Sequence, residues 1–257
     1  MKNLEGTKVL VTRPEDQSEN LCRLISLAGG EAIKFPTLKI SPSAQLTQEQ
    51  MREFISWADG VIFISRNAVI YLDRLLNNIA AELSGKSLYA TGRGTVMALE
   101  GIGIDSVMSP AGQYGSEGLL GLEELSPSRI MGKNLVIIRG EEGRDLLRDV
   151  LQERGAEVKY ACIYRSGLPD LAPALTESIW QNLKPDIIVL TSNQGLQNLI
   201  QMTAQKDKIS LFNCKLVVMS NRIADTAQKA GFVNPPKVAA RQSDDGLLEA
   251  IQQSVEQ

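Results

Sequence analysis

Short β-branched runs alternate along the chain with stretches whose apolar residues recur at helical spacing, and the whole alternation is written twice. In the first half the strand runs are Lys8–Thr12, Ala32–Phe35, Gly60–Ile64, Ser87–Thr91 and Asp105–Met108. In the second they are Leu135–Ile138, Val158–Tyr164, Asp186–Leu190, Lys215–Met219 and Lys237–Ala240. Helical patterns fill the intervals. One of them, Glu15–Ala28, stops at Gly29-Gly30, where glycine suits the left-handed close of a helix; Leu146–Arg154 before Gly155 is its counterpart. Strands and helices in this alternation predict a parallel sheet covered by helices, and five strands per copy predict a flavodoxin-like α/β lobe.

The repetition is systematic. Ser-Glu-Gly-Leu-Leu at 116–120 returns as Asp-Asp-Gly-Leu-Leu at 244–248, with Gly118 and Gly246 lying 128 residues apart. The segment from Leu88 lies over that from Leu216, with Gly103 over Gly231, at the same interval. Ser65 falls on Ser192 at 127, and Arg13 and Gly29 fall on Arg139 and Gly155 at 126. Two one-residue insertions in loops account for the drift. The chain is an internal duplication, and two copies make a pair of related lobes, not a solenoid.

Polar residues gather immediately after the strand runs. They are Thr12-Arg13, Ser65-Arg66-Asn67, Thr91-Gly92-Arg93 and Ser116 in the first copy. The second copy offers Arg139-Gly140, Ser192-Asn193, Ser220-Asn221-Arg222 and Ser243. In an open parallel sheet all of these fall at the carboxyl edge, where such folds bind ligands. Several also open a helix, where free N–H groups and the dipole favour anions. Any one Ser or Asn reads best as a helix cap. Taken together, with arginine recurring, the set predicts an anion-binding cleft, because arginine grips carboxylate or phosphate in a bidentate fork. Its substrate-binding candidates are Thr12, Arg13, Ser65, Arg66, Asn67, Gly92, Arg93, Arg139, Ser192, Asn193, Ser220 and Arg222.

Composition narrows the chemistry. None of the 257 residues is histidine, which excludes Ser-His-Asp and Cys-His catalysis and histidine-based zinc sites. A net charge of −3 argues against a nucleic-acid partner, so any basic site is local. No apolar run approaches the roughly 20 residues of a membrane span, and the N-terminus lacks a secretory core. Cys22, Cys162 and Cys214 read as reduced, mostly buried thiols of a cytoplasmic protein. "TGRGTVMALEG" has Met97 where a dinucleotide loop needs glycine, and no phosphate loop of nucleotide hydrolases occurs. Glu141, Glu142 and Asp145, like Asp244-Asp245, read as first-turn helix carboxylates and not as metal ligands.

Six segments in order, "VLVTRP", "IRGEEGRDLLRDVLQERGAEV", "CIYRS", "LTSNQGLQNL", "SNRIADTAQKAGF" and "DDGLLEAI", resemble the uroporphyrinogen-III synthase family over essentially the whole chain. The resemblance implies an enzyme that closes the linear tetrapyrrole hydroxymethylbilane to uroporphyrinogen III. It loses water and inverts the last pyrrole ring, using no cofactor and no metal, and is expected as a monomer. A substrate rich in carboxylates suits a cleft edged with arginines and helix N-termini. Tyr164 in "CIYRS" matches the tyrosine that the family places near the leaving hydroxyl; the bland alternative is a strand-end tyrosine with its ring in the core. Where some members carry paired threonines, this chain has Arg222-Ile223. The family also implies a swapped division, residues 1–36 with 166–257 against 37–165, joined by two extended connectors. A different class of protein would share the pattern: a non-enzymatic two-lobe receptor closing on a small anion.

Overall fold

A computed structural model describes residues 4–171 and 173–255. Ten strands are present among them: β1 (Lys8–Val11), β2 (Glu31–Lys34), β3 (Lys39–Pro42), β4 (Gly60–Phe63), β5 (Ser87–Ala90), β6 (Asn134–Gly140), β7 (Glu157–Gly167), β8 (Ile187–Leu190), β9 (Lys215–Val218) and β10 (Lys237–Val238). They form two five-stranded sheets, ordered β10-β9-β8-β1-β2 and β3-β7-β6-β4-β5. The chain correspondingly divides into two compact units, Met1–Lys39 with Gly167–Gln257, and Ile40–Ser166.

Matched through the duplication, β1, β2, β4 and β5 correspond to β6, β7, β8 and β9. The four matched strands then have one order in both sheets, each of which combines strands from both copies, and the fifth differs: β10 flanks β9, whereas β3 flanks β7. In the first, β1 pairs in parallel with β2 on one side and β8 on the other, and β8 with β9. In the second, β6 pairs in parallel with β7 and β4, and β4 with β5. This is the doubly wound order in which the chain reverses direction beside β1 or β6, opening a crevice at the strand carboxyl ends.

Both faces of each sheet are dry. In the first, Leu10, Ile188, Leu190, Leu216 and Val218 pack on one face, and Val9, Val11, Ile187, Val189 and Val217 on the other. The second divides likewise, with Val61, Phe63, Val136 and Ile138 against Ile62, Leu135 and Ile137. Strands covered on both sides need apolar residues at every position, which is why these runs do not alternate with polar residues.

Two elements depart from the pattern expected. The run Asp105–Met108 makes only a bridge between Met108 and Tyr89, although Met108 N–H donates to Leu88 O at 2.8 Å and Ala90 N–H to Met108 O at 2.9 Å. Pro110 follows two residues on and has no N–H with which to extend the ladder. The unforeseen strand is β3, a four-residue edge strand ending in Pro42, too short and polar to announce itself. Thr37 is tied to the first unit and not to the second: its N–H and hydroxyl donate to Thr12 O, at 3.1 and 3.2 Å, and its carbonyl accepts from Asn198 at 2.7 Å. Among the described residues no helix is long and apolar enough to cross a membrane.

Candidate functional site

In the Ile40–Ser166 unit the carboxyl edge is built around Tyr164 on β7. The β6–β7 register slips between Arg139 and Gly140, so that Gly140 stands opposite Tyr164 and Ile163 is skipped. The slip turns the tyrosine ring over Gly140, where a Cβ would lie 2.7 Å from Cε2; only glycine leaves room. The ring also packs against Tyr71 at 5.7 Å between centroids. Tyr164 is 8% exposed, and its hydroxyl lies 2.9 Å from the hydroxyl of Ser65. Burial raises the pKa of the phenol, opposed by Ser65, the Gly140 backbone and the Arg139 charge, so Tyr164 holds its proton at neutral pH.

Ser65 caps the helix Arg66–Leu76, accepting from Ala68 N–H at 3.1 Å. Arg66 is exposed beside it and Asn67 is half-buried. On the next strand end, Gly92 precedes the helix Arg93–Glu100, and Arg93 is exposed. Arginine in the first turn of a helix opposes the dipole, an unfavourable choice by about 0.3–1 kcal/mol unless an anion arrives to reverse it. Arg139 has a different occupation. It is 4% exposed, donates to Gly140 O, Arg144 O and Asp145, and stacks on Tyr160 at 4.3 Å. Its donors hold the loop after β6. A cavity of about 240 Å³ opens beside it, lined by Thr91, Ser116, Arg139, Arg144 and Tyr160 among others.

The other unit carries its own edge. Ser192 caps the helix Asn193–Met202 through Gly195 N–H at 3.0 Å, and Asn193 Oδ1 is buried with no hydrogen-bond partner among the described residues. Ser220 precedes the helix Asn221–Ala230 without a side-chain cap bond, and Arg222 is exposed in that helix's first turn. Thr12 is buried and spends its hydroxyl on Val189 O at 2.6 Å, which fastens β1 to β8. Arg13 is ion-paired with Asp244 at the start of the helix Asp244–Ser254, while its Nε is buried and unpartnered among the described residues. Thr12 is therefore engaged and Arg13 engaged except at Nε, whereas Asn193, Ser220 and Arg222 have polar capacity to spare. A larger cavity, about 640 Å³, lies at the opposite, amino ends of β1, β8 and β9, lined by Thr7, Asp186 and Lys215, and none of the predicted residues borders it.

Tyr160, Arg144 and Glu117 escaped the sequence reading, and Asp145, read as a first-turn helix carboxylate, stands at the N-cap of the helix Leu146–Glu153. Tyr160, Arg148 and Arg139 hold the Asp145 carboxyl below the usual range, with Tyr160 the largest influence, and Arg144 forms a two-point ion pair with Glu117. Gly143, at φ 145°, packs so closely on Arg139 that a Cβ would lie 2.6 Å from Nη2. The cysteines form no disulfide; Cys22 is buried, Cys162 and Cys214 half-buried. Burial raises all three thiols, Cys214 to about 11, so none supplies a thiolate nucleophile at neutral pH.

Doubly wound parallel sheets, with spare hydroxyls, amides and arginines at their carboxyl ends, define the class as an α/β protein of two flavodoxin-like lobes. Comparison with known proteins names the family. Residues 19–249 match the family model described as Uroporphyrinogen-III synthase HemD. The uroporphyrinogen-III synthase of Escherichia coli K12 is 32% identical over 248 residues, covering 95% of this chain and 99% of that one. A crystal structure of uroporphyrinogen-III synthetase from Helicobacter pylori superposes with a TM-score of 0.66 over 97% of this chain and 99% of the other, at 17% identity. A mutant enzyme from Thermus thermophilus gives 0.63 over 98% and 99%, also at 17%. The chain belongs to the uroporphyrinogen-III synthase family, hydro-lyases of tetrapyrrole biosynthesis. That membership decides for an enzyme over a receptor.

Proposed function

We propose that this chain binds hydroxymethylbilane by its carboxylates at the strand carboxyl ends and closes it to uroporphyrinogen III, with Tyr164 protonating the departing hydroxyl. The observation that carries the reading is the phenol itself. It is buried, with its pKa raised by that burial, and bonded to a helix-capping serine, at the edge where Arg66 and Arg93 stand exposed in first helical turns. Arg222, Ser220 and Asn193 serve the same binding role in the other lobe. Breaking the bond between carbon and the hydroxyl oxygen leaves an electrophile that the substrate's own last pyrrole attacks, so no protein nucleophile is required. Holding a flexible, reactive chain in one geometry is then the larger share of the work. The test is incubation of the purified chain with hydroxymethylbilane, followed by separation of the product isomers. The expected product is type III; type I alone, as formed by spontaneous closure, would refute the reading.

A further inference from the structure

Ser65 and Ser192 correspond in the duplication, and both cap a helix through the N–H three residues on. Among the described residues only Ser65 of the two has a second partner, the Tyr164 hydroxyl at 2.9 Å. The place of Tyr164 in the other lobe falls near Leu38, which has no hydroxyl to offer. A serine oxygen has one proton and two lone pairs. With one lone pair facing Ala68 N–H, Ser65 keeps its proton and one lone pair for Tyr164. Two arrangements result: the phenol donates to Ser65, or Ser65 donates to the phenol. Only the second leaves the phenolic proton free for a substrate. The neighbouring hydroxyl, Thr91, donates to Ile64 O at 2.9 Å and is committed elsewhere.

We infer that Ser65 is a positioning residue for proton transfer: it donates its hydroxyl hydrogen to Tyr164, aims the phenolic proton outward and stabilises the phenolate left behind. The inference rests on the reading of Tyr164 as proton donor. In the step itself, the Tyr164 O–H bond breaks and its proton joins the substrate's hydroxyl oxygen. The carbon–oxygen bond then breaks with its electron pair going to oxygen, and water leaves. Ser65 keeps its proton and shifts it closer to the phenolate. The proton lost by the substrate when the new ring regains aromaticity restores Tyr164, so the cycle balances with no further reagent. The helix N-terminus behind Ser65 supports this polarity, because its N–H groups and dipole favour negative charge on the oxygen chain. Desolvation raises the phenol's pKa while the Ser65 bond lowers it, which agrees with a partner that favours the anion.

A double-mutant cycle tests it on hydroxymethylbilane turnover. Ser65→Ala should lower kcat on the order of tenfold to a hundredfold, the worth of a hydrogen bond to a charged oxygen, with KM nearly unchanged. In a Tyr164→Phe background the same substitution should change kcat by less than about twofold, and Ser65→Thr should restore the wild-type rate. Should Ser65→Ala fold poorly, Ser65→Gly removes the hydroxyl at little cost to the helix cap and takes its place. Equal losses in both backgrounds, or a rise in KM alone, would overturn the inference and leave Tyr164 as donor. Full turnover by Tyr164→Phe would overturn both.

Discussion

At the scale of single residues, an arginine's surroundings decide what it can do. Arg66, Arg93 and Arg222 are exposed in first helical turns, whereas Arg139 is sealed between Asp145, two carbonyls and the Tyr160 ring. Alanine at Arg66, Arg93 or Arg222 should therefore raise KM, on the order of tenfold each, with kcat little changed. Alanine at Arg139 should instead destabilise the protein by about 2 kcal/mol in urea unfolding, since it empties a buried site. The opposite assignment, a stability loss at the exposed three and a KM effect at Arg139, would mean that the wrong arginines face the substrate. The sequence makes these four arginines and Arg13 look alike because each follows a strand. What separates them is the path of the next loop, and for Arg139 that path depends on Gly143 folding back over the guanidinium. Tyr164 is a similar case: its letter and place were legible, but the register slip and its hydrogen bond to Ser65 were not.

At the scale of elements, strands buried on both faces were readable from their unbroken apolar runs, and helix starts from Ser65, Ser192 and Ser243, all of which cap as expected. Short, polar β3 and the truncated pairing at Met108 were not readable, since each depends on a neighbour and not on local pattern. Nor does local pattern say which copy a strand pairs with. β1 lies beside β8 of the other copy, and β4 beside β6. A cut near residue 128 thus strands β1 and β2 without β8, and β4 and β5 without β6. Residues 40–166, by contrast, hold all five strands of one sheet but for the end residues Lys39 of β3 and Gly167 of β7. The segment 40–166 expressed alone should unfold cooperatively, while 1–128 should show no cooperative transition by circular dichroism. A folded 1–128 with an unfolded 40–166 would contradict the interleaved pairing.

At the scale of the whole molecule, a net charge of −3 coexists with exposed Arg66, Arg93 and Arg222 at the strand carboxyl ends, so under the proposed function recognition of an anionic substrate is local and not a property of overall charge. Under the proposed function, backbone and arginines hold the linear tetrapyrrole in one geometry, and a single phenol supplies the proton. Tyr164→Phe separates the two, because it keeps the ring on Gly140 and removes only the hydroxyl. Turnover on hydroxymethylbilane should fall on the order of a hundred- to ten-thousand-fold with KM little changed. The enzymatic product should remain type III, with spontaneous type I growing only in proportion to the slower rate. Full turnover with an unaltered isomer ratio would contradict the account and reduce Tyr164 to a packing residue.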